Sequence, residues 1–118
     1  MNILVRRHLH AALVVALLAL PLVAPAAEAT VVDVAARRFA FTPGVVTLKA
    51  GTPAVLRVHS EDVTHGFFSR ALGIDETLQP GKTIDVALTP KAPGRYDIIC
   101  DHFCGAGHGN MKMTVVVE

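Results

Sequence analysis

From residue 31 onward, hydrophobic residues occur in short β-branched runs separated by turn residues, without the 3.6-residue period of a helix. Turn residues such as Gly51 and Pro53 break the pattern, and residues 61–79 are expected to form a loop. About six or seven strands at a spacing of roughly 8–12 residues predict an all-β antiparallel sandwich or barrel. The runs are, in chain order, VVDVAA, FAFTPGVVTLKAG, AVLRVHS, PGKTIDVALTP, GRYDIIC and MKMTVVVE.

The N-terminal segment has a different pattern. Arg6 and Arg7 precede the apolar run AALVVALLAL, and the small-residue sequence AEA follows at 27–29. A basic start, an apolar run and a small-residue cleavage site predict a secretory signal peptide over residues 1–29. Residues 30–118 are then an exported domain, in the periplasm or another extracytoplasmic space.

An alternative for residues 1–29 is a membrane anchor that stays attached to the domain. A spanning helix needs about 20 apolar residues, and Pro21 and Pro25 interrupt this run. The pattern therefore favours a cleaved signal, whereas an uncleaved segment would associate the protein with a membrane.

The composition limits the classes of partner. The chain has 11 basic and 10 acidic residues, and the predicted signal holds Arg6, Arg7 and Glu28 among them, so the predicted domain is formally neutral. It has no basic patch that would indicate nucleic acid and no acidic run that would indicate a disordered tail. Its length suffices for one small domain.

Soft side chains are concentrated in one segment, ICDHFCGAGHGNM at residues 99–111. This segment contains both cysteines of the chain, one of its three methionines and two histidines. It lies between the last two predicted strands, which would hold it rigidly at both ends, and its glycines let the backbone curl tightly. A metal site explains this combination better than a hydrophobic core does.

A disulfide and a zinc site are the first alternatives. A disulfide is the default for two cysteines in an oxidising compartment, but a Cys100–Cys104 bridge closes a short loop, worth about 2 kcal/mol, and leaves His108 and Met111 unexplained. Zinc would use both cysteines, His108 and one more histidine. The C-x3-C-x3-H spacing lacks the long gap of a zinc finger, and a thioether favours copper.

A further ligand should come from another loop at the same end of the sheets. Apart from the segment 99–111, the predicted domain offers His59 and His65. His59 lies within a predicted strand, where a lone histidine is more often structural or exposed, so His65 is preferred. Asp62 and His65 could instead form an acid–base pair, but no serine nucleophile with an oxyanion loop accompanies them.

The segment CDHFCGAGHGNM, C-x3-C-G-x2-H-x2-M, resembles the binuclear copper (CuA) loop of subunit II of haem–copper oxidases. The upstream segment DVTHGFFSRALGIDETLQPG is similar to the D-V-x-H segment of the same family, including its L-G-I and P-G landmarks. The N-terminal part, FAFTPGVVTLKAGTPAVLRV, resembles cupredoxin domains in general. The resemblance implies a cupredoxin-like Greek-key β-sandwich.

The resemblance also implies a ligand set for two copper ions. Cys100 and Cys104 would be thiolates that bridge both ions. His65 and Met111 would complete one copper, and the other would take His108 and the backbone carbonyl of His102. The implied function is electron transfer between a donor such as a c-type cytochrome and a terminal oxidase or reductase, by a domain that is not an enzyme by itself.

The sequence departs from the oxidase pattern at three points. It has one short apolar segment where oxidase subunits usually begin with transmembrane helices. His102 occupies a position that is usually Glu, and Phe67 occupies a position that is often Trp; the chain has no Trp.

Two other copper functions use the same side chains. A periplasmic protein for Cu(I) storage or delivery would also select thiolate and thioether ligands, although such carriers tend to expose them in flexible segments. A mononuclear blue-copper protein would leave Cys100 as a spare thiol, which is a liability in an exported chain. Its ligands would be His65, Cys104, His108 and Met111.

Overall fold

The computed structural model of the protein describes residues 16, 18–25 and 28–118, and residues 30–117 contain nine β-strands in two sheets. The predicted all-β sandwich is therefore confirmed. The strands are β1 (Thr30–Arg37), β2 (Ala40–Thr42), β3 (Val45–Leu48), β4 (Ala54–Ser60), β5 (His65–Ser69), β6 (Ile74–Leu78), β7 (Thr83–Leu88), β8 (Gly94–Ile99) and β9 (Lys112–Val117).

The chain crosses repeatedly from one sheet to the other. One sheet has the order β2-β1-β4-β7 and the other the order β3-β9-β8-β5-β6. Strand β1 runs parallel to β4, with Val34 beside Val58, and β3 runs parallel to β9, with Val46 beside Val115. The expectation of purely antiparallel sheets is therefore wrong, because hydrophobic alternation reports which face a residue occupies but not the direction of the neighbouring strand.

The core lies between the two sheets. Val34 and Val58 from one sheet and Phe67 and Ile98 from the other are fully buried. Phe41 meets Phe67 edge to face across the sandwich, with ring centroids 5.4 Å apart. Each such side chain contributes about 1.5–3 kcal/mol on burial. Because this core is apolar and continuous, we expect the domain to fold without a metal.

The segment predicted as a loop, residues 61–79, contains a β-hairpin. Strand β5 pairs antiparallel with β6, with His65 opposite Leu78. The first three residues of β5 are all buried, so β5 lacks the alternation by which a half-exposed strand is recognised. The run FAFTPGVVTLKAG likewise divides into two strands, β2 and β3, which belong to different sheets.

The strand order brings the two ligand-rich segments together at one end of the sandwich. Strand β5 begins at His65 and lies beside β8, where Phe68 pairs with Ile99. Strand β8 ends at Ile99, directly before the segment rich in cysteine and histidine, and β9 begins directly after it at Lys112. The two segments therefore meet although they are about 35 residues apart in the sequence.

The predicted signal over residues 1–29 falls largely outside the described residues, since 1–15, 17, 26 and 27 are not described. Within the described part of the chain, no helix has the length and apolar character needed to span a bilayer.

Candidate metal centre

The segment between β8 and β9 is closed at its base by a backbone hydrogen bond. The Cys100 N–H donates to the Met111 carbonyl oxygen at 3.0 Å. Both side chains are buried and join the hydrophobic core, with exposures of 3% and 1%. The sheet therefore fixes the first and last sulfur atoms of the segment.

Three sulfur atoms meet at this point. The distance between Cys100 Sγ and Cys104 Sγ is 3.6 Å, and Cys104 Sγ lies 4.0 Å from Met111 Sδ. Both cysteines are free thiols, since a disulfide would bring the sulfurs to about 2.05 Å. Burial, followed by the neighbouring Cys100, raises the pKa of the Cys104 thiol to about 11. Deprotonation of this thiol therefore calls for a cation beside it.

His65 completes a compact cluster with the two cysteines. It is fully buried at the start of β5, and its Nδ1 lies 4.0 Å from Cys100 Sγ. The three ligand atoms lie within 4.8 Å of one another. His59, by contrast, is half-exposed and lies 3.8 Å from Glu61, outside this cluster.

Asp62 orients the His65 ring from the other side. His65 Nε2 lies 2.7 Å from Asp62 Oδ1, so the Nε2–H donates to the carboxylate and the Nδ1 lone pair is directed towards Cys100. Burial alone would raise the pKa of Asp62, but hydrogen bonds from the Arg38 N–H, the His65 ring and the Val63 N–H outweigh it and lower this pKa to about 2. The carboxylate therefore stays ionised at neutral pH.

His108 has a buried nitrogen atom with no hydrogen-bond partner. It begins a 3-10 turn, His108–Asn110, and its ring meets the Phe103 ring edge to face, with ring centroids 5.7 Å apart. Within the part of the chain that the structure describes, His108 Nδ1 is the buried side-chain N or O atom that lacks a partner. Buried polar atoms are nearly always paired, so an unpaired nitrogen of this kind is a candidate metal donor.

The two polar parts of His102 point in different directions. Its side chain is exposed and its Nδ1 lies 3.0 Å from the Phe103 carbonyl oxygen. Its own carbonyl oxygen faces the sulfur pair and lies 3.1 Å from Cys100 Sγ. The backbone of His102 thus contributes an oxygen atom to the cluster, whereas the imidazole does not.

Gly66 is required by the close approach of the two segments, a role that sequence reasoning missed. A Cβ atom at Gly66 would lie 2.0 Å from Asp101 Oδ1 and 2.7 Å from the backbone nitrogens of Asp101 and His102. The adjacent pair His65-Gly66 therefore supplies one candidate ligand and the space in which the second segment packs. Its sequence signal is a glycine inside a strand, which often marks such an approach.

The donor set fits copper better than a hard cation. Two thiols, a thioether and imidazole nitrogens are soft or borderline donors, and Cu(I) prefers the sulfur ligands. The His102 carbonyl adds an oxygen donor beside Cys100 Sγ, and His108 offers an unpaired buried nitrogen within the same segment. All six predicted ligand residues, His65, Cys100, His102, Cys104, His108 and Met111, thus lie at one end of the sandwich, and their assignment as ligands stays a prediction.

Comparison with known proteins agrees with this architecture. The chain is 39% identical over 87 residues to cytochrome c oxidase subunit 2 of Thermus thermophilus, a match that covers 74% of this chain and 64% of that protein. The chain therefore spans less than two thirds of the length of that relative.

Two solved structures share the fold. The periplasmic domain of subunit II of cytochrome oxidase (CoxB) of Bradyrhizobium japonicum superposes with a TM-score of 0.71 at 16% identity, covering 80% of this chain and 86% of that chain. A chain of a heme-copper terminal oxidase dimer gives a TM-score of 0.69 at 24% identity, covering 75% of this chain and 65% of that chain. At these identities the structures show the fold alone. The cupredoxin-like domain family matches residues 10–117, and the chain belongs to that family.

Proposed function

We propose that this protein carries a binuclear copper centre of the CuA type and transfers electrons through it. In this proposal, the sulfur atoms of Cys100 and Cys104 would hold both copper ions. His65 and Met111 would complete the ligands of one ion, and His108 with the His102 carbonyl would complete those of the other. When bound, the copper pair supplies a site that accepts and releases one electron. The sulfur pair, with 3.6 Å between two buried thiols, is the observation that carries the proposal.

The protein's part in electron transfer is to keep the ligands still. Cys100 and Met111 are joined by the hydrogen bond at the base of their segment, and His65 begins a buried strand. Asp62 holds the imidazole in one tautomer and orientation. A site built on strand ends changes little in geometry when its charge changes, which favours rapid electron transfer.

The position of Cys100 argues against a mononuclear blue-copper site. In that alternative Cys100 is a spare thiol, yet Cys100 Sγ lies 4.0 Å from His65 Nδ1, 3.6 Å from Cys104 Sγ and 3.1 Å from the His102 carbonyl oxygen. A sulfur atom in the middle of the donor set is better explained as a ligand.

Burial argues against a copper carrier. Proteins that deliver Cu(I) need ligands that a receiving protein can reach, whereas His65, Cys100, Cys104 and Met111 are all nearly inaccessible here. We therefore favour a resident centre over storage or delivery.

The proposed signal and the relatives support a cellular location and a class of redox partner. We propose that residues 1–29 export the protein and are removed, and that residues 30–118 work in the periplasm or an equivalent extracytoplasmic space. The partners would be a donor such as a c-type cytochrome and a terminal oxidase or reductase, since the Thermus thermophilus relative is named as an oxidase subunit. The domain would be an electron carrier within or beside such a complex and not an enzyme alone.

Copper stoichiometry and electron paramagnetic resonance (EPR) test the proposal. We expect two coppers per chain and, in the one-electron-oxidised protein, a signal split by both copper nuclei. One copper with splitting by a single nucleus would support the blue-copper alternative instead. A colourless protein with zinc, or no stoichiometric metal, would also contradict the proposal.

A further inference from the structure

Arg38 touches both ligand-bearing segments although it lies far from them in the sequence. It occupies the turn between β1 and β2. Its backbone N–H donates to Asp62 Oδ2 at 2.8 Å, and its side-chain Nε–H donates to the Cys104 carbonyl oxygen at 2.9 Å in a partly buried contact. One residue thus links the carboxylate that orients His65 to the backbone of the second cysteine.

Phe39 extends the same contact along the ligand segment. A Cβ atom would lie 2.8 Å from the Phe39 ring at Gly105 and 2.6 Å from it at Gly107. The ring therefore packs directly on the backbone of both glycines, between Cys104 and His108. The turn at residues 38–39 acts as a support on which residues 104–107 lie.

The side-chain charge of Arg38 lies beside the residue that carries the second sulfur atom, because its Nε–H donates to the Cys104 carbonyl oxygen at 2.9 Å. The neighbouring Arg37 has no such role: its Nε lies 3.6 Å from Glu61 Oε2, and its side chain is 66% exposed. The two adjacent arginines therefore differ in what they contact but not in charge.

We propose that Arg38 is a positioning residue of the metal centre, which fixes the Cys104 segment relative to His65 and places a positive charge beside the thiolates. This inference rests on the proposed copper function. A positive charge near a redox site stabilises the reduced form, which carries one electron more, so Arg38 raises the reduction potential. By holding Asp62 and Cys104 together, it also slows the loss of copper.

Three variants of the full-length protein separate these roles. Arg38→Met removes the charge and the donor but keeps a side chain of similar reach, and Arg38→Lys keeps the charge. Arg37→Met is the matched control, since it removes the same charge one residue away. Thermal unfolding of the metal-free proteins first establishes that all three are folded.

Two measurements on the copper-loaded proteins follow. We expect a lower reduction potential in Arg38→Met than in wild type, and a release of copper to a Cu(I) chelator that is faster by about tenfold, as for the loss of other groups that orient ligands. Arg38→Lys should have a reduction potential close to that of wild type. Arg37→Met should match wild type in both the reduction potential and the rate of copper release. Equal potentials and release rates in Arg38→Met and Arg37→Met would overturn the inference.

A third measurement does not need copper. Amide hydrogen exchange of the metal-free protein should be faster over residues 104–108 in Arg38→Met than in wild type and in Arg37→Met. Faster exchange in a protein that binds no copper would leave the support role standing while the proposed function fails. If the hydrogen exchange of Arg38→Met were unchanged while the copper-loaded protein gave a normal binuclear EPR signal, the support role of Arg38 would be wrong and the proposed function would stand.

Discussion

Asp62 and His65 lie three residues apart, and the Asp62 carboxylate holds the His65 ring by its Nε2–H at 2.7 Å while Nδ1 lies towards Cys100. The fully buried imidazole is therefore held in one tautomer before any metal arrives. A group that orients a ligand in this way contributes to metal affinity without touching the metal.

We accordingly expect Asp62→Ala to weaken copper binding by about 10–100-fold, as measured by competition with a Cu(I) chelator. Asp62→Asn keeps an acceptor oxygen, so its copper affinity should lie between those of Asp62→Ala and wild type. Asp85→Ala is a suitable control, because Asp85 pairs with Arg57 on the surface. A wild-type affinity in Asp62→Ala would mean that β5 alone orients the ring.

Cys100→Ser tests whether the two sulfurs act as a pair. A hydroxyl is harder than a thiolate and is not deprotonated at neutral pH, so it is a poor bridge between two coppers. We expect the variant to hold at most one copper and to give an EPR signal split by a single nucleus. If wild type and variant both held one copper with the same signal, the binuclear assignment would be wrong.

His102→Gln tests the separate roles of the His102 backbone and side chain. Since the carbonyl faces the sulfur pair and the imidazole is exposed, the variant should keep the copper content and spectrum of wild type. His59→Gln should behave in the same way, because His59 lies outside the cluster. Loss of one copper in His102→Gln would show that the imidazole is a ligand.

Gly66→Ala tests the packing of the two segments. The added methyl group would overlap Asp101 and the His102 backbone nitrogen, so the loop must shift. We expect a loss of stability of about 1–3 kcal/mol, as for other overpacked sites, together with reduced copper binding; denaturant unfolding and metal analysis measure the two effects. Gly44→Ala is the control, since its nearest atom would be 3.9 Å away.

Asp97 provides a prediction on pH. Hydrogen bonds from Thr114 and Lys112 lower its pKa below the ordinary 3.8. A carboxylate with a lowered pKa in the folded state stabilises that state above the unfolded-state pKa, and this contribution is lost as the pH falls through the folded-state pKa. Asp97→Asn should therefore be less stable than wild type at pH 7, and the difference should shrink in acid. Urea unfolding of both proteins at pH 7 and in acid measures the difference in their free energies of unfolding.

The sequence was informative about the site because five of the six predicted ligand residues lie within one short segment, residues 100–111. The loop 61–79 was mispredicted because β5 is buried from its first residue and does not alternate. The contact of Arg38 with Cys104 spans 66 residues, and the exclusion of a side chain at Gly66 depends on where Asp101 lies. Such contacts follow from the strand order, which local patterns do not encode.

The parallel pairing of β3 with β9 has a consequence for the timing of assembly. Strand β9 lies between β3 and β8 in its sheet, yet it is the last of the described strands to be synthesised. Until β9 inserts, β3 has no neighbour in that sheet and Met111 has no fixed position. A nascent chain therefore lacks the Met111 donor until β9 is in place, and we expect metal loading to be completed after the domain has formed. The proposed export of an unfolded, metal-free chain, with loading on the far side of the membrane, is compatible with this order.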